Sequence, residues 1–487
     1  MQRVGCEGAG DCSPTRRVPN RRETRIGLAL LAVAIGVKVA LLCTSQSMAD
    51  GDEAVTGLMA KHVLERGAHP IYPYGVQYGA GAGVEAHLAA LLFALFGVSD
   101  LALKSAGLLV WIATLALVHT TASRIAGRWA GGAAALLFAF APSGAEWALK
   151  VAGGHGVAVL LALSAVAWLE RGGSRAIAAA LLPIAAVAHP IVAPFCIALA
   201  IAIVWEAESW RARLSIALAL AAITAAIAIT LRPPATGVWN PVAGALRVPD
   251  LVAALPAVVT GLFAPNLDAR ALPRLPHLLV SIGWIAALAI AASRASGVRR
   301  RWLYLLAPLP VLFAVRTTEL APRHLLLLVP LACIVMGAGL ATIRRRDVVV
   351  GALVALGAAV ALDVMRDPVV HGPEPQDRGI VRTNVSDVLA ELDRRGVRDV
   401  YCADPMFQWN LVWASRERIA ARWIDPVDRL PELPARVDAA RRAGSPVALV
   451  ARASPESLAF AVFPPLDDAR LTALFPPARD PNPRSSE

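Results

Sequence analysis

The chain has 487 residues, of which 57% are hydrophobic and only 17% charged, whereas a soluble domain carries about a quarter charged residues; the composition is that of a membrane protein. Its 47 basic and 36 acidic residues leave a net charge of +11, which in a soluble protein would raise nucleic-acid binding. Here the basic residues cluster instead at alternate junctions between apolar runs: Arg16 to Arg25, Arg124 with Arg128, Arg171 with Arg175, Arg211 with Arg213, Arg294 to Arg301 and Arg344 to Arg346. That is the positive-inside pattern of a polytopic membrane protein, and it excludes nucleic acid as the partner.

Cys6, Cys12, Cys43, Cys196, Cys333 and Cys402 are scattered without a CxxC pair, so neither a disulfide framework nor a zinc site is expected. The absence of a P-loop pattern argues against ATP as a driving force.

Residues 1–25 form a basic tail, expected in the cytoplasm. The apolar run after it is longer than the roughly 7 to 15 residues of a signal-peptide core and reads as a retained anchor. Runs able to cross about 30 Å of hydrocarbon then place a transmembrane region over 26–365. Its eleven spans are expected near 26–44, 100–122, 129–142, 154–170, 176–188, 190–205, 214–231, 277–293, 302–316, 324–343 and 347–364. An odd number of spans puts the C-terminal region outside and every basic cluster inside. The pair meeting at Ala188-His189-Pro190 is also compatible with one long kinked segment.

Two long outer loops are expected, 45–99 and the Pro-rich 232–276. Within the first, Glu53 to Arg66 has Val55, Leu58, Met59 and Val63 at helical spacing and Gly67 as a stop. It is predicted as an amphipathic helix on the membrane surface. Val84 to Gly97 reads as a second surface helix, too short to span.

From about 366 to 475 helical and extended pieces alternate: 385–395, 406–414 and 433–443 helical; 397–402, 418–424 and 447–451 extended. The pattern predicts a small extracytoplasmic α/β domain with a partly parallel sheet, and the tail 476–487 is expected to be disordered. The fold class is thus mainly α, a polytopic transmembrane helical bundle with a small C-terminal α/β domain.

Asp50, Asp52 and Glu53 stand where the chain leaves the first span. Asp50 followed three residues later by Glu53 is the spacing of a capping box, and acids suit a helix N-terminus. A carboxylate held still at a membrane surface also suits a general base. The two readings are compatible.

Asp52-Glu53-Ala54 leads into His62-Val63-Leu64-Glu65-Arg66-Gly67, then Pro70-Ile71-Tyr72, Tyr74-Gly75, Tyr78-Gly79 and Glu85-Ala86. This order resembles the first-loop signature of bacterial GT-C glycosyltransferases, the group around protein mannosyltransferases, aminoarabinose transferases and Rgt-type lipopolysaccharide glycosyltransferases. Tyr401-Cys402-Ala403-Asp404, Trp409 and Ser415-Arg416-Glu417-Arg418-Ile419 resemble pieces of that group's C-terminal domain. The resemblance implies a polyprenyl-phosphate sugar donor and a catalytic carboxylate in the first outer loop. Asp52 takes that role, with Asp50 competing and Glu53 beside them.

Other residues fall on the same side. Lys150, one of four lysines in the chain, follows Glu146 and precedes Gly153-Gly154-His155. It could hold the carrier phosphate or snorkel to headgroups; Glu146 is a second acid or a solvated loop charge. Glu85 matches the family's Leu-Glu-Ala, with Val84 in place of Leu, and capping explains it equally. Arg323 resembles the family's Arg-Tyr before a late span, with His324 in place of Tyr, and is implied as a phosphate ligand.

The implied activity is that of an inverting hexosyl- or pentosyltransferase at the cell membrane, moving sugar to an extracytoplasmic glycan, lipid or protein. No cofactor is required by this reading, although Asp50 and Asp52 could supply hard oxygen ligands to a divalent metal. A flippase for a lipid-linked saccharide would need polar groups near the midplane or an internal repeat, and a noncatalytic scaffold would keep the fold without the reaction.

Overall fold

The computed structural model describes residues 21–44, 49–69, 74, 81–141, 150–151, 153–207, 209–230, 275–294, 326–366, 382–424, 430–454, 457, 459–464 and 467–475. The expected span 302–316, residues 232–274 of the expected loop 232–276, and the two tails 1–20 and 476–487 lie outside the described residues. The chain runs through α1 (Arg21–Thr44), α2 (Gly51–Arg66), α3 (Gly83–Phe96), α4 (Asp100–Ala126), α5 (Arg128–Ala139), α6 (His155–Glu170) and α7 (Arg175–Ala188). A 3₁₀ turn (Pro190–Val192) leads to α8 (Ala193–Trp205), followed by α9 (Trp210–Thr230), α10 (Leu275–Arg294), α11 (Leu328–Leu340) and α12 (Arg346–Arg366).

These helices share two apolar cores. One joins α1, α4, α5, α10, α11 and α12 through residues such as Trp111, Leu137, Trp284 and Met336. The other joins α6 to α9 through Val159, Leu182, Phe195, Leu199 and Ile216. Each expected span among the described residues is helical, but only α4 is by itself long and apolar enough to cross a membrane. Several others stop early for a local reason. α7 contains Pro183, and His189 is extended before Pro190, so the pair at 188–190 is two helices and not one kinked segment.

That break has a consequence at the far end of the first loop. The N–H of Ile191 turns to His189 Nδ1 (3.1 Å), and that of Val192 turns to the His189 carbonyl (3.3 Å). The carbonyls of Val187 and Ala188 are therefore left for the N–H of Gly81, at 3.1 and 3.0 Å.

The two ends of the bundle differ. At one, Trp129 Nε1 donates to Asp347 Oδ1 at 2.7 Å while Arg346 lies over the Trp129 ring, so the junctions carrying Arg128 and Arg344 to Arg346 meet. At the other end sit α2, α3 and the start of α4.

The C-terminal residues form α13 (Arg382–Arg394), β1 (Asp399–Cys402), α14 (Pro405–Ala414), β2 (Ala420–Arg422), α15 (Glu432–Arg442), β3 (Val447–Arg452), β4 (Phe460–Phe463) and α16 (Asp468–Leu474). The sheet order is β2-β1-β3-β4. β1 runs parallel to β2 and β3, and β4 pairs antiparallel with β3. The parallel part follows the expected alternation. β4 and α16 were not expected, because four apolar residues before Pro464 carry too little periodicity to read as a strand.

The surface-helix reading of α2 needs correction. Its buried residues, Ala54, Val55, Thr56, Gly57, Leu58, Met59, Ala60 and His62 among them, go all the way round, because α14 packs on one side and α3 and α4 on the other. A Cβ at Gly57 would come within 2.9 Å of the Trp413 ring, so the small residue is what lets α14 approach. Trp413 in turn stacks on Phe93 and donates from Nε1 to Asp100 Oδ1 at 2.6 Å. α3 buries Ala86, Ala89, Leu92 and Phe93 but exposes Val84, Leu91, Leu95 and Phe96, apolar on both faces.

The same joint is fastened by charge. Glu417, at φ +66°, accepts from Lys61, from His62 Nε2 at 2.9 Å and from Arg66 Nη2 at 3.3 Å. His62 is buried, and its Nδ1 meets the Tyr74 hydroxyl at 2.8 Å. The bonds from His62 and then Lys61 outweigh burial and hold the Glu417 carboxyl down at about 2. A carboxyl depressed on folding contributes stability above its ordinary value of 4.5 and loses it as pH falls through the folded value. Glu417→Gln is expected to cost about 1.5 to 3 kcal/mol at neutral pH, as for a hydrogen bond to a charged group. Thermal unfolding in detergent should show the gap to wild type closing as pH falls from 4.5 toward 2.

Candidate active site

The site starts with the turn that opens α2. Asp50 is extended and caps the helix: its Oδ1 accepts from Glu53 N at 2.9 Å and its own N–H donates to Glu53 Oε2 at 3.1 Å. This is the capping box that the spacing allowed. Both carboxylates are buried, at 5% and 2% exposure, so each must meet a counter-charge or bear a large desolvation cost.

Two lysines supply it. Lys104 Nζ, from the first turns of α4, reaches both oxygens of Glu53 at 2.9 and 3.1 Å. Lys150 Nζ lies 2.6 Å from Asp50 Oδ2, with its side chain 5% exposed. The N–H of Val151 adds a third donor to Glu53, 2.9 Å from Oε1. Burial raises the Glu53 carboxyl, with Lys104 pulling against it and Asp50 adding to the rise. Lys150 is thus a buried partner of a buried acid, not a headgroup-seeking surface lysine.

Asp52 is placed differently. It lies in the first helical turn, half-buried, and its backbone carbonyl accepts from Thr56 Oγ1 at 3.1 Å. Of the three acids it alone is neither the cap nor the strut to α4.

Behind Lys150 the chain turns through Gly153 and Gly154, both at positive φ. A Cβ on Gly154 would stand 2.2 Å from the Ala188 carbonyl oxygen and 2.9 Å from that of Gly81. Only glycine allows this turn and the segments at 81 and 188 to meet. The Gly154 N–H donates to Glu85 Oε2 at 3.0 Å, and His155 stacks on His189 with ring centroids 3.7 Å apart. Burial pushes the Glu85 carboxyl up to about 7, against the backbone N–H groups of Gly154, Val157 and Gly156.

Glu85, Lys150 and His155 line one open cavity together with Trp111, Thr114, Phe138, Leu326 and Val329. Its lining is polar at Glu85, Lys150 and His155 and apolar or aromatic at Trp111, Phe138, Leu326 and Val329. Asp50 connects to it through Lys150; Asp50, Asp52 and Glu53 are not among its lining residues. Glu146 and Arg323 lie outside the described residues. Among the described residues no group of three or more His, Cys, Asp or Glu side chains is gathered for a metal.

Lys104 and Asn410, which also touch the turn, were missed. Lys104 carried a signal: the chain has four lysines, at 38, 61, 104 and 150, and a lysine inside an apolar run needs an acid.

No family model and no curated protein matches the sequence. Among solved structures the chain is similar to ArnT from Cupriavidus metallidurans in the apo state, with a TM-score of 0.61 and 14% identity over 88% of this chain and 94% of that one. ArnT from the same organism bound to undecaprenyl phosphate aligns at TM-score 0.43 and 13% identity, over 89% of this chain and 94% of that one. Arabinofuranosyltransferase AftD from Mycobacteria aligns at TM-score 0.51 and 16% identity, over 89% of this chain and 35% of the AftD chain. At these identities the likeness is one of fold.

The folded state keeps a proton on Glu85 between the ordinary value of 4.5 and about 7, where the unfolded chain has released it. This contribution to stability is full below 4.5 and is lost as pH rises through about 7. Glu85→Gln keeps an acceptor for Gly154 without a charge to bury. Its melting temperature in detergent should exceed that of wild type by several degrees at alkaline pH, with the difference shrinking toward pH 4.5.

Proposed function

We propose that this chain, whose fold is that of the GT-C membrane glycosyltransferases, moves a sugar from a polyprenyl-phosphate donor to an acceptor outside the cytoplasm, inverting the anomeric centre. The observation that carries the reading is the linked site at one end of the bundle. A capped helix carries three acids, a buried lysine joins one of them to a cavity, and that cavity is lined by both polar and apolar side chains.

A polyprenyl-phosphate sugar has the same two-part chemistry. Its phosphate and sugar meet Lys150, His155 and Glu85, and apolar surface from Trp111, Phe138 and Val329 is available to the first lipid units. The acceptor hydroxyl attacks the anomeric carbon as the carbon–oxygen bond to phosphate breaks. The proton passes to a carboxylate, and the polyprenyl phosphate leaves with the electron pair, its charge offset by Lys150.

We assign the base to Asp52. Asp50 and Glu53 are committed to the cap and to Lys150 and Lys104, whereas Asp52 is the least buried of the three and rides on the rigid turn they make. In this reading the Arg-rich end, where Trp129 meets Asp347, faces the cytoplasm. The acids and the C-terminal α/β unit then lie outside.

The test is transfer of label from radiolabelled polyprenyl-phosphate sugars in membranes with matched expression of each variant. Wild type should transfer label with inversion at the anomeric carbon. Asp52→Asn should fall by about 10² to 10⁴, the worth of a general base, and Lys150→Met by about 10² or more, as for loss of a charge-stabilising donor. Full activity in Asp52→Asn would remove that residue as base, and no transfer from any donor would overturn the transferase reading.

A further inference from the structure

We propose that the C-terminal α/β unit belongs to the reaction machinery, and that Asn410 is the positioning residue through which it acts on the acidic turn. This rests on the transferase reading above. Asn410 lies on α14 and is fully buried. Its Nδ2 donates to the carbonyl oxygen of Ala49, the peptide that leads directly into Asp50. One turn earlier on the same face, Met406 lies against Gly51, where a Cβ would stand 2.6 Å from its Sδ and 2.7 Å from its Cα.

The turn Ala49–Gly51 is therefore held from two sides. Lys150 and Val151 grip the acids from the transmembrane side, and Met406 and Asn410 grip the backbone from the C-terminal unit. Asp52 follows at once, so its carboxylate inherits whatever precision the turn has.

The choice of side chain at 410 argues for that use. Asn410 Oδ1 is buried without a hydrogen-bond partner among the described residues, a cost that a leucine of similar volume would avoid. The neighbours Leu411, Val412 and Trp413 are apolar and buried. A half-satisfied amide in such a helix costs stability for a single bond to the Ala49 carbonyl. That trade makes sense where the position of the next residues matters more than fold stability.

The test compares Asn410→Leu and Asn410→Asp with wild type in the full-length protein. Leucine removes the donor and keeps the volume. Its kcat should fall about tenfold or more, the penalty for loss of alignment, while donor KM stays within about twofold and the melting temperature is not lowered. Backbone hydrogen exchange in a peptide covering 49–55 should quicken about tenfold or more, with the rest of the chain unchanged. Aspartate donates to the Ala49 carbonyl only when protonated. Its activity relative to wild type at the same pH should recover as pH is lowered, which a loss of packing would not do.

A leucine variant with wild-type kcat, one whose exchange at 49–55 is unchanged, or an aspartate variant with no recovery at low pH overturns the proposal. If wild type itself transfers nothing, the transferase reading fails on its own, and hydrogen exchange still decides whether Asn410 holds the turn.

Discussion

Two acids three residues apart, both buried, are the constraint on which the outer end of this molecule depends. Asp50 and Glu53 satisfy each other's backbone in the capping box, but a capping box handles hydrogen bonds and leaves two charges to neutralise. An unpaired buried charge costs several kcal/mol, and a pair recovers that cost only with good geometry. The helix α2 can form here only if α4 brings Lys104 and the turn at 150 brings Lys150. Those pairs are better seen as fixing position than as adding stability, since apolar residues of equal volume would serve a fold alone.

Once Lys150 and Val151 are placed, the next residues have little freedom. Gly153 and Gly154 turn the chain at positive φ, Gly154 gives its N–H to Glu85, and the carbonyls of Val187 and Ala188, left open at the helix break, accept from Gly81. Four segments distant in sequence, at 50, 81, 151 and 188, converge through backbone groups and small residues. Their neighbours Glu85, Lys150 and His155 line the cavity. On the other side of α2, the non-glycine residues at positive φ among those described are Tyr74, Arg416 and Glu417. Tyr74 and Glu417 meet through His62. Strain of this kind, on the order of 1 to 3 kcal/mol per residue, persists where surroundings over-determine it, and here it marks the joint between the C-terminal unit and the first loop.

Much of this was legible in the sequence, and the limits have physical causes. Apolar runs located the helices because burial in lipid or protein demands the same composition, and for that reason they could not say which. α2 shows the cost of that ambiguity: Val55, Leu58, Met59 and Val63 fit a surface helix, yet Gly57 and Thr56 on other faces are buried as well, since a second protein surface covers them. The capping box was visible as a spacing and the parallel strands as an alternation. Lys104 stands out as a lysine in an apolar run, but which acid it meets does not, because Glu53 is 51 residues away; Asn410 is hidden because its bond is to a backbone carbonyl 361 residues distant. Pairings of that range leave no local pattern.

The division of basic residues carries information that periodicity does not. All four lysines fall in the first 150 residues, and each is tied to the interior: Lys38 buried over Trp111, Lys61 at Glu417, Lys104 at Glu53 and Lys150 at Asp50. The arginines dominate the junctions and the surface of the α/β unit. A guanidinium is broad and suits headgroup phosphates and exposed carboxylates, while an ammonium is a compact point charge able to reach one acid through a narrow apolar gap. In a chain that writes arginine almost everywhere else, Lys104 and Lys150 therefore mark the two places where a buried carboxylate of the acidic turn is met.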